Sequence, residues 1–326
     1  MRLKIAGFID LQVNGFAGVD FNNPRCTVEQ LQHATEAMRK TGVTQYLPTL
    51  ITSSFEDFSR CAQTLLKFND PAIVGIHMEG PYISPHDGPR GAHPREHVRE
   101  ATIEDFERRQ DVAQGRILLV TLAPEVPNSL LLIEHLVKAN VRVAIGHTAA
   151  AAEHIRDAIS AGATLSTHLG NGCAQMLPRH PNFMWEQLAA DELFASLIVD
   201  GHHLPAATVK TMVRAKSPER TILVTDAIAA AGCPPGFYAI GTAEVELTAS
   251  GRVAVPGAPN LAGSALMMHE AIANTVRFTD LFLQDVVAMA STIPAQYLDI
   301  KPTGSVVADW DEENHKLQVE SVSLYP

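Results

Sequence analysis

Short apolar, β-branched runs alternate along this chain with segments whose apolar positions recur at helical spacing. Eight runs read as buried strands, at residues 8–15, 43–51, 72–80, 117–125, 142–148, 164–171, 194–203 and 221–229. Between them, residues 27–40, 55–68, 103–113, 129–139, 149–161, 206–214 and the stretch after 264 carry the helical pattern. Strands alternating with helices predict βα units on a parallel sheet, and eight units close most simply into a (β/α)8 TIM barrel, an α/β fold of about 250 residues.

The pattern is interrupted in a few places. Residues 81–102 and 171–191 read as long loops after the third and sixth strands, and loops beyond about 12–15 residues inside a compact domain are usually functional. The alternating run AEVELTASGRVAV predicts a β-hairpin insertion at about 237–259, turning at Ser250-Gly251. A second hairpin is expected in the tail, so the chain divides into a barrel over 1–300 and a C-terminal hairpin over 301–326.

Composition narrows the class. A chain of 326 residues, 46% hydrophobic, can bury a large core. No apolar run approaches the roughly 20 residues of a membrane span, and no cleavable signal follows the N-terminus, so a cytoplasmic protein that does not enter membranes is expected. The four cysteines lack C-x-x-C spacing, which fits reduced thiols. A formal charge of −11 argues against a nucleic-acid surface but leaves room for a small anionic substrate held by one or two local cations.

Polar residues cluster at the C-terminal strand ends, the face on which such barrels place active sites. Glu79 in HMEGP, His147 in GHT and His168 in THLGNG stand at the ends of strands three, five and six. One Glu and two His form a catalytic zinc set that leaves a fourth position open, whereas each residue alone could be a hydrogen-bonded rim residue. Asp226 in LVTDA emerges from the last strand, where it either exchanges protons with a metal-activated water or caps the next segment. His77 lies two residues before Glu79 and reads as support for the site or as a packed core histidine. Strand one ends in Gln12-Val13-Asn14 in place of the His-x-His of two-metal barrels, and no lysine falls at a strand end. Amides are poor zinc ligands beside imidazole and carboxylate, so one metal site is expected.

The motifs AGFIDLQVNG with GVDFN after it, YLPTLITS, GIHMEGPYI, RGAHPRE, VTLAPE, VAIGHTAA, STHLGNG, DGHH, LVTDAIAAAG and LAGSAL follow in order along nearly the whole chain. Together they resemble the N-acetylglucosamine-6-phosphate deacetylases of the amidohydrolase superfamily. The resemblance implies a metal-dependent hydrolase that releases acetate from N-acetyl-D-glucosamine 6-phosphate, with Glu79, His147 and His168 holding one divalent metal, zinc being expected, and Asp226 as general base. It also implies that His93 in GAHP polarises the acetyl carbonyl. Asn171 and Gly172 would contact the phosphate, Arg179 and His203 would reach it from the neighbouring subunit of a homodimer, and Leu261 of LAGSAL would touch the substrate. Gln12 and Asn14 would line the position of the missing second metal and hydrogen-bond substrate or water. The accessory β-sandwich domain of the family is expected to be reduced or absent here. The galacto epimer of the substrate is an open alternative, as is a catalytically silent sugar-phosphate binding protein.

Overall fold

The computed structural model describes residues 1–241, 243–257 and 260–325. Each of the eight apolar runs contains a barrel strand, in chain order Phe8–Val13, Val43–Ile51, Ile76–Glu79, Ile117–Leu122, Arg142–Ile145, Leu165–Ser166, Phe194–Leu197 and Thr221–Leu223. Every neighbouring pair is parallel and the strands lie side by side in sequence order. The ring closes through a parallel bridge between Val13 and Ala227. There Asn14 N donates to Ala227 O at 2.7 Å and Asp226 N to Gln12 O at 3.0 Å. The same seam holds a side-chain tie, Thr225 Oγ1 donating to Asp10 Oδ2 at 2.6 Å.

Helices surround the barrel, and hydroxyl caps fix where several begin. Val28–Lys40 opens on Thr27 with a capping box to Gln30, while Phe55–Phe68 and Ile103–Val112 open on Ser54 and Thr102, whose hydroxyls accept from Asp57 N and Asp105 N. The expected loop over 171–191 contains a helix, Phe183–Ala189, capped by the Asn182 side chain. Its seven residues follow Pro178, His180 and Pro181, too short and too proline-rich a setting for periodicity to show.

After the last barrel strand, Gly236–Ile240, Ala243–Leu247 and Val253–Ala254 form a small antiparallel sheet over the barrel mouth. Its turn lies around the expected Ser250-Gly251, with Gly251 N donating to Thr248 O at 3.0 Å. Of the insertion expected over 237–259, Thr242, Ala258 and Pro259 lie outside the described residues, as does Pro326 of the tail. The C-terminal hairpin, Ser305–Asp311 with Lys316–Ser323, is joined by an unexpected strand, Arg2–Ala6, which pairs antiparallel with Ser305–Asp311. We propose a division near residue 300, with Arg2–Ala6 assigned by its pairing to the three-stranded sheet of the tail.

Candidate metal centre

The strands deliver the site residues through sharp turns. His147, His168 and Asp226 each adopt left-handed φ, 51°, 30° and 50°. Non-glycine residues occupy that region at a cost, and such outliers concentrate where function requires a side chain to be aimed. Here the turn brings each side chain over the barrel axis as its strand ends.

Glu79 Oε1 lies 3.1 Å from His147 Nε2 and 3.1 Å from His168 Nε2, and the two ring nitrogens are 3.1 Å apart. All three residues are buried. His147 Nδ1 faces the Pro89 carbonyl at 2.9 Å, and a carbonyl only accepts, so the ring proton is on Nδ1 and Nε2 points inward with a lone pair. That lone pair meets a carboxylate oxygen and another imidazole, while Glu79 Oε1 already accepts from Gln12 Nε2 at 2.8 Å. Electron pairs converging without enough protons fit a cation, and the set of two nitrogens and an oxygen suits a divalent metal with an open position. The Pro89 contact is the type of outer hydrogen bond that orients a metal-bound imidazole.

Gly172 sets the other side of His147. At φ 54°, a Cβ there would lie 2.8 Å from His147 Nδ1. The glycine is therefore needed for the ring to sit where it does.

Asp226 stands across the cavity, buried, with Oδ1 accepting from Asn14 Nδ2 at 2.7 Å. Burial, then the nearby Glu79 charge, push its carboxyl up to about 6, against the pull of His168, His203 and the Asn14 hydrogen bond. Gln12 and Asn14 thus spend their amide donors on Glu79 and Asp226. One N–H of each amide is thereby turned to an acid, because strand one runs beside strands two and eight; the expected contact with substrate or water is left to the remaining amide atoms. Asn14 Oδ1 has no partner and lines the cavity.

His93 is buried on the long loop after strand three, its Nε2 3.7 Å from Glu79 Oε2. Its Nδ1 lies 2.8 Å from Thr52 Oγ1 and accepts from Thr52 N at 3.4 Å. An acceptor Nδ1 leaves the proton on Nε2, which faces the site. Burial, then the neighbouring His147 ring, lower its pKa to about 3, so the ring is a neutral donor. His77 lies deeper, between Thr121 Oγ1 at 2.8 Å and Thr49 Oγ1 at 3.3 Å, in a polar layer under the site.

The cavity above these groups measures about 900 Å³. Asn171, Gly172, His203 and Leu261 line it. His203 does so within its own chain, its Nδ1 donating to Asp200 Oδ2 at 2.6 Å. This departs from the expected entry from a neighbouring subunit, because the loop after strand seven opens into the same mouth. Arg179 is exposed and does not line the cavity. Asn171 gives its side-chain donor to His168 O at 3.2 Å. Thr52, the Pro89 carbonyl and Arg252 escape sequence reasoning; only the predicted hairpin's place after strand eight points toward Arg252.

The amidohydrolase family model matches residues 3–310. An N-acetylglucosamine-6-phosphate deacetylase of Lysinibacillus sphaericus is 33% identical over 317 residues, covering 96% of this chain and 80% of that protein. An N-acetylgalactosamine-6-phosphate deacetylase of Escherichia coli O157:H7 is 36% identical over 305 residues, covering 92% and 79%. Among solved structures, the N-acetyl-D-glucosamine-6-phosphate deacetylase of Mycobacterium smegmatis superposes with a TM-score of 0.90 at 29% identity, covering 99% of this chain and 86% of that one.

Proposed function

The chain belongs to the amidohydrolase family, and we propose that it hydrolyses the acetamide of N-acetyl-D-glucosamine 6-phosphate to D-glucosamine 6-phosphate and acetate. The observation that carries this reading is the convergence of Glu79, His147 and His168 under one wall of a 900 Å³ cavity while Asp226 waits on another.

Glu79, His147 and His168 would hold the metal, for which zinc is the proposed identity. Once bound, that ion supplies the Lewis acidity that makes water nucleophilic near neutral pH and polarises the acetyl carbonyl. Asp226, with a pKa near 6, is ionised at neutral pH and still basic enough to take a proton from the attacking water. Water oxygen bonds to the acetyl carbon, and His93 Nε2–H stabilises the charge developing on the carbonyl oxygen. Asp226 then returns the proton to the sugar nitrogen as the C–N bond breaks, releasing acetate and the amine. Gln12 and Asn14 keep the two acids aimed. Asn171, Gly172, His203 and Leu261 form the sugar-phosphate side of the cavity, and Arg179 is proposed to act from the second copy of a cytoplasmic homodimer. No helix among the described residues is long and apolar enough to cross a membrane.

The N-acetylgalactosamine epimer is the second reading, favoured by the 36% identity to the N-acetylgalactosamine-6-phosphate deacetylase of Escherichia coli O157:H7. Acetate release from both 6-phosphates, measured beside metal content, tests the two. Binding of either sugar phosphate by metal-loaded protein without acetate release would leave a silent binding protein instead.

A further inference from the structure

The cavity must receive a dianionic phosphate in a protein of net charge −11. Of the residues implied for that task, Asn171 gives a side-chain N–H to the His168 carbonyl, Gly172 is packed against the His147 ring, and Arg179 is assigned to a second copy, so none of them supplies a cation from this chain. Among the described residues, one arginine and no lysine line the cavity, and the arginine is Arg252. It is half-buried on the hairpin that follows strand eight.

The hairpin turn is fixed in place. Thr248 N donates to Arg252 O at 2.9 Å, and Arg252 N donates to Thr248 Oγ1 at 3.2 Å. His202 Nε2 donates to Ser250 O at 2.9 Å, tying the turn to the loop after strand seven. Asp200 in turn accepts from the backbone N–H groups of both His202 and His203, at 2.8 and 2.7 Å. Asp200 also takes the Nδ1 proton of His203, leaving Nε2 as that ring's free nitrogen. Two loops, after strands seven and eight, thus hold a guanidinium and an imidazole at one mouth. Phosphate sites of (β/α)8 barrels recur at the loops after these two strands, and a guanidinium matches phosphate geometry with paired donors.

We propose that Arg252 anchors the 6-phosphate within the same chain, with His203 beside it, so that selectivity for the phosphorylated sugar comes from the hairpin. The proposal rests on an amino-sugar 6-phosphate being the substrate. The hairpin, tied to the loop after strand seven by the His202–Ser250 hydrogen bond, supplies this chain's own cation to the cavity, in addition to the Arg179 assigned to a second copy.

Acetate release is measured on the 6-phosphate and on the unphosphorylated N-acetylhexosamine, at matched metal content, for wild type, Arg252→Gln, Arg252→Lys and Arg179→Gln. Glucosamine 6-phosphate and glucosamine binding are measured in parallel by calorimetry. Arg252→Gln should lower the kcat/KM ratio of phosphorylated over free sugar by about 10–100-fold, mainly through KM, the range expected for losing a charge-assisted hydrogen bond. Arg252→Lys should recover part of it. A ratio within about twofold of wild type in Arg252→Gln, or a collapse confined to Arg179→Gln, overturns the proposal. If wild type deacetylates neither sugar, the reaction assigned above fails and calorimetry decides separately: about tenfold weaker glucosamine 6-phosphate binding in Arg252→Gln supports the anchor, and unchanged binding removes it.

Discussion

Asn14 on the first barrel strand donates its side-chain amide to Asp226 beyond the last, Nδ2 to Oδ1 at 2.7 Å, across the seam where the barrel closes. The contact fixes one oxygen of the proposed base and leaves the other for chemistry. A donor on the ionised carboxylate also lowers its pKa.

Asn14→Leu, similar in volume but without the donor, should therefore reduce kcat by about 10–100-fold, corresponding to roughly 1.5–3 kcal/mol for a hydrogen bond to a charged group. Because the lost donor favoured the charged form, the acid limb of the kcat–pH profile should move to higher pH, from a starting point near 6. A profile superimposable on wild type would show that Asn14 does not act through Asp226.

Chelation should abolish acetate release and lower the melting temperature by several degrees. A ligand at 100 times its dissociation constant contributes about 2.7 kcal/mol to the folded state. Zinc should restore both activity and melting temperature, whereas Glu79→Gln and His147→Ala should respond to neither treatment. Full activity in a metal-free preparation would eliminate the metal from the mechanism.

Gly172→Ala places a methyl 2.8 Å from His147 Nδ1 at a left-handed φ. The strain, on the order of 1–3 kcal/mol, should displace the ring and weaken zinc binding by about tenfold or more. Zinc titration against a competing chelator provides the readout; wild-type affinity would mean that the loop yields instead of the ring.

Asp10 is buried at the same seam, and burial raises its pKa from 3.8 to about 7 despite hydrogen bonds from Thr225 and Gln12. The folded state thus holds a proton that the unfolded chain has already released between about pH 4 and 7. A raised carboxyl contributes stability fully below the unfolded value and loses it as pH climbs through the folded one, at roughly 1.4 kcal/mol per pH unit. Asp10→Asn keeps the shape and has no proton to lose. Urea unfolding at pH 5 and 7.5 should show a steeper decline for wild type than for the variant; equal slopes would mean that Asp10 is ionised throughout.

The proposed metal ligands Glu79, His147 and His168 and the proposed base Asp226 are legible because apolar strand-like runs end in them, placing polar side chains at one rim without any knowledge of contacts. Their partners are not. Gln12 and Glu79 are 67 positions apart and Asn14 and Asp226 are 212 apart, and nothing local in either segment records that they meet. The strand Arg2–Ala6 was missed for a related reason: its five residues gain their pairing from Ser305–Asp311 at the far end of the chain. Arg252 was hidden in the polar face of a hairpin, where a single cation looks like any solvated turn residue.

The closure of the barrel implies an order of failure. Glu79, His147 and His168 follow strands paired on both sides, whereas the Asp226 segment meets the first strand through one bridge, Val13 to Ala227, and is held on its other side by Ser264 N donating to Asp226 O at 3.0 Å. Loosening that junction by heat or denaturant would carry the base away from a triad still assembled. Inactivation should then precede both metal release and global melting, making loss of turnover the earliest sign that the cylinder has begun to open.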